Sequence, residues 1–290
     1  MADGASSASA AADAVADSAR SGEPDRYLAA LLAPPSARTD LLALAAFASE
    51  VARVPYIASS EPAIGEIRLQ WWRDALQPSR DLARTGNPVA DALRVAVRRH
   101  ELPGALFMEI VEARSSDLGG EVMADDAALQ TYLWKGEGTV FALAGRMLAS
   151  GGPEADIDAA AAASGHAYGL SRLLLGLGRA LSRGRLPLPQ TRLEAAGVAP
   201  EELLAGEGGR NVEGMLADLR DEARGSLVTS RRYVANLPRA MRAAFLPLAL
   251  VEPYLRALQR LGRDVLRRPG EIAPLTRVVR IATAHWLGRI

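Results

Sequence analysis

The 290-residue sequence contains no cysteine, three histidines and, among 34 basic residues, a single lysine. The absence of cysteine excludes disulfide frameworks, cysteine-ligated zinc, iron–sulfur clusters and thiol catalysis. The three histidines are far apart in the sequence and form no metal-binding motif. The best candidate for a membrane span, residues 243–251, is short and contains Pro247. We therefore expect no disulfide, no resident metal and no membrane-spanning helix.

Aromatic residues are also scarce, at 5% of the chain, whereas alanine is abundant. From Tyr27 onward nearly every segment repeats its apolar residues at helical spacing, and no segment alternates convincingly with period two. This pattern predicts one all-α domain over residues 24–290. Residues 1–23 lack large apolar side chains almost completely, so they are predicted to form a disordered tail. They also lack the features of a signal peptide or presequence, which makes the cytoplasm the expected location.

Acidic and basic residues balance to a net charge of zero, but they are unevenly distributed. Residues 225–290 hold twelve arginines against three acids, a local excess of nine positive charges. Helical spacing over 254–268 predicts a single arginine stripe, formed by Arg256, Arg260, Arg263 and Arg267. The stripe suits an anionic membrane surface or an acidic partner. Alternatively, it is a solvated face that pairs with acids of the first part of the chain. No nucleic-acid-binding motif is present.

Several short motifs follow one another with characteristic gaps. They are Tyr27-Leu28-Ala29, Pro34-Pro35, Ala46-Phe47, Trp71-Trp72-Arg73, Asn87-Pro88-Val89, Tyr132, Gly165-His166-Ala167-Tyr168-Gly169-Leu170-Ser171 and Arg183-Gly184-Arg185-Leu186-Pro187-Leu188-Pro189. In this order the sequence resembles the squalene/phytoene synthase family from about Asp25 to the C-terminus. The resemblance implies an isoprenoid synthase-like helical bundle around a central cavity.

The same register shows that this sequence lacks the family's two Asp-rich motifs. Those motifs hold Mg²⁺ against the diphosphate leaving group, because Mg²⁺ prefers carboxylate and phosphate oxygens. The first motif falls on Ala52, Arg53 and Tyr56, and the second falls on Gly176, Arg179 and Ala180. None of these six residues is acidic. We therefore expect no cofactor and no diphosphate ionisation by the family mechanism; Mg²⁺ would be needed only if the chain were an active transferase.

Residues 46–54 and 64–72 resemble a branch of the family that lacks the Asp-rich motifs and acts in the assembly of respiratory complex I. This resemblance implies a non-catalytic binding role with a protein partner, such as a subunit of the respiratory complex. One alternative is a head-to-head prenyl diphosphate transferase with atypical site residues. Another is a module that docks on anionic lipid or on a partner. A peripheral position at the inner face of the membrane would suit these roles.

Six residues are candidates to line what remains of the cavity: Tyr27, Glu50, Arg53, Arg68, Trp71 and Arg172. Two interpretations of these charges stay open. Glu50 could form a structural ion pair with Arg53 or Arg68. Alternatively, Arg53, Arg172 and Arg179 could bind a prenyl diphosphate or an anionic lipid headgroup without metal. Because neighbouring helical side chains point about 100° apart, at most one of Trp71 and Trp72 is expected to face the cavity.

Overall fold

The structure of the chain is a computed structural model that describes residues 2–58, 61–77, 84–120, 122–149 and 154–290. Over these residues the secondary structure is helical and contains no strand, which confirms the predicted all-α class. The first helices are α1 (Ala2–Gly22), α2 (Pro24–Leu32), α3 (Pro35–Ile57), α4 (Pro62–Ala75), α5 (Pro88–Arg99), α6 (Gly104–Gly119) and α7 (Asp126–Leu133). A π-helix (Trp134–Gly138) joins α7 to α8.

The second half of the chain continues the bundle. Its helices are α8 (Thr139–Leu148), α9 (Glu154–Leu175), α10 (Leu177–Leu181), α11 (Gln190–Ala196), α12 (Pro200–Leu204), α13 (Arg210–Asn236), α14 (Val251–Leu261) and α15 (Pro274–Leu287). Two 3₁₀-helices, Met241–Leu250 and Gly262–Leu266, flank α14. Several of the helices have proline in their first turn. Its fixed φ suits the helix, and its missing N–H costs nothing there, because a first-turn N–H has no acceptor within the helix.

Helix α3 lies in the core and contacts several other helices, among them α1, α2 and α5. Its Phe47 is fully buried and packs edge-on against Trp72 of α4 and Phe107 of α6, with ring centroids 5.0 and 5.8 Å apart. Such aromatic contacts fix the relative positions of three helices. Helix α9 packs against α13, α8 and the π-helix, and completes the same core.

The π-helix and α9 meet at a contact between two glycines. A Cβ atom on Gly165 would lie 2.4 Å from the Cα atom of Gly138, so only glycine fits there. This close approach holds Glu137 of the π-helix beside α9. The Gly165 motif that suggested the family therefore has a structural role: it positions a buried carboxylate.

The predicted disordered tail is wrong for the described residues of this segment, which exclude Met1. Residues Ala2–Gly22 form helix α1, which contacts α3 and α5. Val15 and Ala19 are buried one turn apart, and a Cβ atom on Gly22 would collide with Ser49 of α3. Small side chains on α1 and α3 let the two helices approach closely, so this helix packs without large apolar residues. The rule that equates few large apolar residues with disorder fails here.

Two predicted helices are shorter than expected. The spacing over 155–180 predicts one helix, but α9 ends at Leu175 and α10 begins after Gly176. The predicted helix over 254–268 is also interrupted, because α14 ends at Leu261 and Gly262 has φ +53°. A positive φ is easily reached only by glycine, so Gly262 changes the chain direction.

The packing of α1 can be tested by comparing Ala19→Asp with Ala14→Asp on the exposed face of the same helix. Burying a carboxylate at position 19 should lower the free energy of unfolding by about 2–4 kcal/mol. The exposed substitution should cost less than about 1 kcal/mol, mainly through helix propensity. Urea unfolding followed by circular dichroism measures both. Equal, negligible effects would show that α1 does not pack on the bundle.

Candidate functional site

Four charged side chains form an ion network inside the bundle: Glu23, Arg26, Glu137 and Arg172. The Arg26 guanidinium lies 2.6 Å from a carboxylate oxygen of Glu23 and 2.6 Å from one of Glu137. Arg172 lies 2.9 Å from Glu23 and 3.5 Å from Glu137. Each arginine therefore contacts both carboxylates, and the four charges cancel. Such pairing is what the interior requires, since an isolated buried charge is very costly.

Three distant parts of the chain supply these four groups. Glu23 lies between α1 and α2, Arg26 is on α2, Glu137 is in the π-helix and Arg172 is near the end of α9. The Arg26 guanidinium also lies 5.3 Å from the ring centroids of both Phe141 and Tyr168. The aromatic faces further stabilise its charge.

Asp25 forms a second buried cluster next to the network. It accepts hydrogen bonds from the hydroxyls of Tyr168, at 2.7 Å, and of Tyr254, and it pairs with Arg277 of α15 at 2.5 Å. Burial, the negative charge of Asp25 and, for Tyr254, the hydrogen bond it donates raise the pKa of both tyrosines well above the usual value. Both hydroxyls therefore stay protonated and donate to Asp25.

A third cluster surrounds Asp117 of α6. Arg114 pairs with it at 3.1 Å, Tyr132 donates a hydrogen bond to it at 3.1 Å, and Arg185 also pairs with it. Arg185 belongs to the connector 183–189, so this ion pair fixes the connector to the body of the bundle.

The charge of Glu137 is stabilised by its surroundings. Burial opposes its ionisation, but the positive charges of Arg26, Arg172 and Arg114 outweigh burial and lower its pKa to about 2. Its carboxylate is therefore fully ionised at neutral pH, and its charge is already matched by arginine.

These residues do not fit a Mg²⁺ cluster. The acids Glu23, Asp25 and Glu137 each contact at least one arginine. Among the described residues, no group of three or more His, Asp or Glu side chains is arranged to hold a metal ion. A metal would have to displace an arginine from each carboxylate, and the displaced arginines would repel it.

The six positions that correspond to the Asp-rich motifs lie at the end of α3 and around α10. Arg53 and Tyr56 are exposed, and the Arg183 guanidinium lies 5.2 Å from the Tyr56 ring centroid. Gly176 separates α9 from α10, where Arg179 is exposed and Ala180 is buried. Ala52 is partly buried on α3. The ring contact joins the two regions, and none of the six positions carries a carboxylate.

Little space is left inside the bundle beside this network. A pocket of about 20 Å³ lies next to Arg26 and is lined mainly by small or apolar side chains, including Ala30, Leu44 and Phe141. This volume holds about one water molecule. It is far too small for a prenyl chain.

A larger pocket of about 350 Å³ opens on the surface between α3, α4 and the start of α5. It is lined by Glu50, Arg53, Val54, Ile57, Arg68, Trp71, Trp72 and Asn87. Four of the six predicted cavity residues thus meet in one pocket, whereas Tyr27 lies on α2 and Arg172 belongs to the buried network.

Glu50 contacts Asn87 and not the arginines suggested as its ion-pair partners. Its carboxylate accepts a hydrogen bond from the Asn87 side chain at 3.2 Å rather than pairing with Arg53 or Arg68. Burial raises the pKa of Glu50, against the opposing effects of Asn87 and the Arg53 charge. Trp72 is buried and Trp71 is exposed at the pocket, with the two rings edge-on at 5.1 Å. Both tryptophans line the pocket, so the expectation that at most one of them faces it is wrong for this pocket.

The arginine stripe is divided by the break at Gly262. Arg256 and Arg260 are exposed on α14, whereas Arg263 and Arg267 follow the break and donate hydrogen bonds to the backbone oxygens of Gly208 and Gly206, at 3.0 and 2.9 Å. The last two arginines therefore hold the 206–208 loop. Tyr254 and Leu258 are buried on the opposite face of α14, as the spacing predicts.

Sequence reasoning missed most of the buried network. Glu23 falls in the segment predicted to be a disordered tail, and no sequence motif points to Asp25, Arg26, Glu137 or Arg277. One local signal was available, since Glu137 lies between two glycines and ahead of a strongly apolar segment. The pairing itself joins residues more than a hundred positions apart, which no local pattern shows.

Comparison with solved structures identifies the fold. The chain is similar to a crystal structure of a dehydrosqualene synthase in complex with ligand, with a TM-score of 0.80 over 97% of this chain and 98% of that chain, at 16% sequence identity. The bundle thus has the helical fold of an isoprenoid synthase. The chain belongs to the squalene/phytoene synthase family, whose model matches residues 19–278.

Two relatives show the range of functions around this chain. "NADH dehydrogenase (ubiquinone) complex I, assembly factor 6" of Bos taurus is 29% identical over 254 residues, covering 86% of this chain and 75% of the relative. "Phytoene synthase" of Thermus thermophilus is 29% identical over 225 residues, covering 76% of this chain and 74% of the relative. The family therefore includes both an assembly factor and a synthase similar to this chain.

The buried network predicts a stability effect for Glu137→Gln. The variant leaves Arg26 and Arg172 with one carboxylate fewer, so it should be about 3 kcal/mol less stable at pH 7. The folded-state pKa of Glu137, about 2, is depressed, so its stabilisation is present above pH 4.5 and is lost as pH falls toward 2. The difference in free energy of unfolding between wild type and variant should therefore become smaller as the pH falls from 4.5 toward 2.

Urea unfolding at several pH values measures this difference. The matched control is Glu207→Gln, which neutralises an exposed carboxylate and should change stability by less than about 0.5 kcal/mol. A Glu137→Gln variant as stable as wild type at pH 7 would contradict the assigned network.

Proposed function

We propose that this protein acts by binding, as an assembly factor for a respiratory NADH dehydrogenase complex, and does not ionise prenyl diphosphates. The observation that carries the proposal is the arginine-neutralised network in a bundle whose six Asp-motif positions hold no acid. The similarity to complex I assembly factor 6 proteins supports assembly of that complex as the process in which the chain acts.

Catalysis in this family's manner would need charges that the chain lacks. A departing diphosphate develops negative charge that Mg²⁺ normally stabilises, and loss of such stabilisation costs several kcal/mol in the barrier. Here the interior carboxylates are already paired with arginine, so they are not free to bind the metal. The pocket next to Arg26 also has no room for a prenyl chain.

A binding role would use the surface of the bundle, in particular the pocket between α3, α4 and α5. The 350 Å³ pocket offers Arg53 and Arg68 beside the exposed ring of Trp71. Arginine and tryptophan are the side chains that most often dominate binding energy at protein interfaces. The proposed partner is therefore a protein, a subunit or assembly intermediate of the complex, which presents an acidic and apolar segment to this pocket.

The proposed role puts the chain in the cytoplasm, at the inner face of the membrane that holds the complex. No helix among the described residues is long and apolar enough to cross a bilayer. A peripheral position would bring the protein to membrane subunits before they are assembled.

Deletion of this protein from its source cell tests the proposal. We expect assembled NADH dehydrogenase to fall several-fold on native gels stained for NADH oxidation, and re-expression of the wild-type chain to restore it. Re-expression of Arg53→Gln with Arg68→Gln should restore it poorly, because the pocket would lose both positive charges. Arg256→Gln with Arg260→Gln, which removes the same charge elsewhere, is the matched control.

Succinate dehydrogenase activity in the same membranes reports any general respiratory defect and should not change. An unaltered level of assembled NADH dehydrogenase, accompanied by altered polyprenyl products, would contradict the proposal and favour the transferase.

A further inference from the structure

Helix α15 presents apolar side chains on the face turned away from the core. Leu275, Val279 and Trp286 are 72%, 51% and 77% exposed, and Val278 and Leu287 are also exposed. On the opposite face Ile281 and Ala284 are buried. The helix is therefore apolar on both faces.

The exposed apolar residues form one continuous stripe. Positions 275, 279, 282 and 286 are separated by four, three and four residues, so they lie along one line on the helix. At 1.5 Å per residue the stripe is about 16 Å long. A helix that is apolar all round is normally covered, and a contiguous exposed apolar patch usually marks an interaction surface.

The inner face of α15 is held firmly, so the stripe has a fixed orientation. Arg277 pairs with the buried Asp25, which also accepts hydrogen bonds from Tyr168 and Tyr254. The helix also packs on α2 and on the 3₁₀-helix Met241–Leu250. The helix cannot rotate to turn the stripe toward the core without breaking the ion pair between Arg277 and Asp25.

The charged side chains of α15 itself have one sign. Residues 274–287 contain no Asp or Glu. Arg280 is exposed on the flank of the helix and Arg289 is exposed just beyond its end. At the same end, Arg231 of α13 donates a hydrogen bond to the backbone oxygen of Ile290 at 2.8 Å, which brings a third arginine alongside. Glu271, three residues before the helix, is the nearest acid in the sequence on its N-terminal side.

We propose that α15 docks this protein on an anionic membrane surface, with Leu275, Val279 and Trp286 inserted among the lipids. Three features support the proposal: a straight apolar stripe, a tryptophan at one end, and exposed arginines with no acid within the helix. A helix of this kind lies in the plane of the bilayer interface. Tryptophan favours the headgroup region, and arginines at its edges attract anionic lipids.

This surface differs from the arginine stripe on α14. Arg256 and Arg260 are exposed there, but the apolar residues of α14 face the core. That helix can contribute charge to an anionic surface but has no exposed apolar face to insert. The docking helix is therefore α15. The sequence does not predict this role, because periodicity alone does not show which of the two apolar faces of α15 is buried.

The experiment measures flotation of the full-length protein with vesicles of phosphatidylcholine alone and of equal parts phosphatidylcholine and phosphatidylglycerol. Wild type should bind the anionic vesicles, more weakly as salt increases, and bind the neutral vesicles poorly. Val279→Ser with Trp286→Ser should lower the partition coefficient by about tenfold or more, since two apolar anchors are removed. Arg280→Gln with Arg289→Gln should weaken binding and reduce its salt dependence.

The matched control is Ile67→Ser with Val122→Ser, which removes two apolar side chains that are 70% and 71% exposed outside α15. It should bind anionic vesicles like wild type. All substituted positions are exposed, and thermal unfolding at the wild-type temperature confirms that each variant is folded.

Failure of wild type to bind anionic vesicles would overturn the proposal, as would equal losses in the α15 variant and the control. Binding to cell membranes but not to protein-free vesicles, abolished by protease treatment of those membranes, would assign the stripe to a protein partner and also overturn it. The vesicles contain no respiratory subunit, so a negative result here leaves the proposed assembly function standing.

Discussion

The ion network of Glu23, Arg26, Glu137 and Arg172 is the interaction on which the rest of the structure depends. Charges inside a helical bundle are tolerated only when each is paired, and here two arginines bridge two carboxylates drawn from three different parts of the chain. The π-helix, the glycine contact at Gly165 and the packing of α1 before Glu23 all serve to bring these groups together. The arrangement leaves the four charges of the network balanced, beside a pocket of only about 20 Å³.

The net charge of zero conceals an uneven distribution of acidic and basic residues between the interior and the surface. A metal-dependent synthase of this family needs a surplus of carboxylates facing its cavity, because they must hold Mg²⁺ against a diphosphate. In this chain the interior acids are matched by arginine, and the arginine excess of residues 225–290 lies largely on the surface. The distribution of charge thus favours contacts with other molecules over chemistry inside the bundle.

The all-α fold could be predicted from the sequence because helical spacing recurs through nearly the whole chain, and the family could be predicted because its motifs keep their order. Glu50, Arg53, Arg68 and Trp71 meet at a pocket on the surface rather than in a central cavity, because they lie on the adjacent helices α3 and α4. Helix α1 was missed because its packing uses small residues. The pairing of Arg26 with Glu137 was missed because it depends on tertiary contacts that only the folded chain shows.

The central claim is that this chain, whose interior acids are paired with arginine and whose Asp-motif positions hold no acid, does not ionise prenyl diphosphates. It is tested most directly by incubating the purified protein with farnesyl or geranylgeranyl diphosphate and Mg²⁺ and measuring released diphosphate, with an active phytoene synthase assayed in parallel. The account predicts no release above the protein-free rate, with or without Mg²⁺. Magnesium-dependent release by the wild-type chain that is abolished by Glu50→Ala would contradict it.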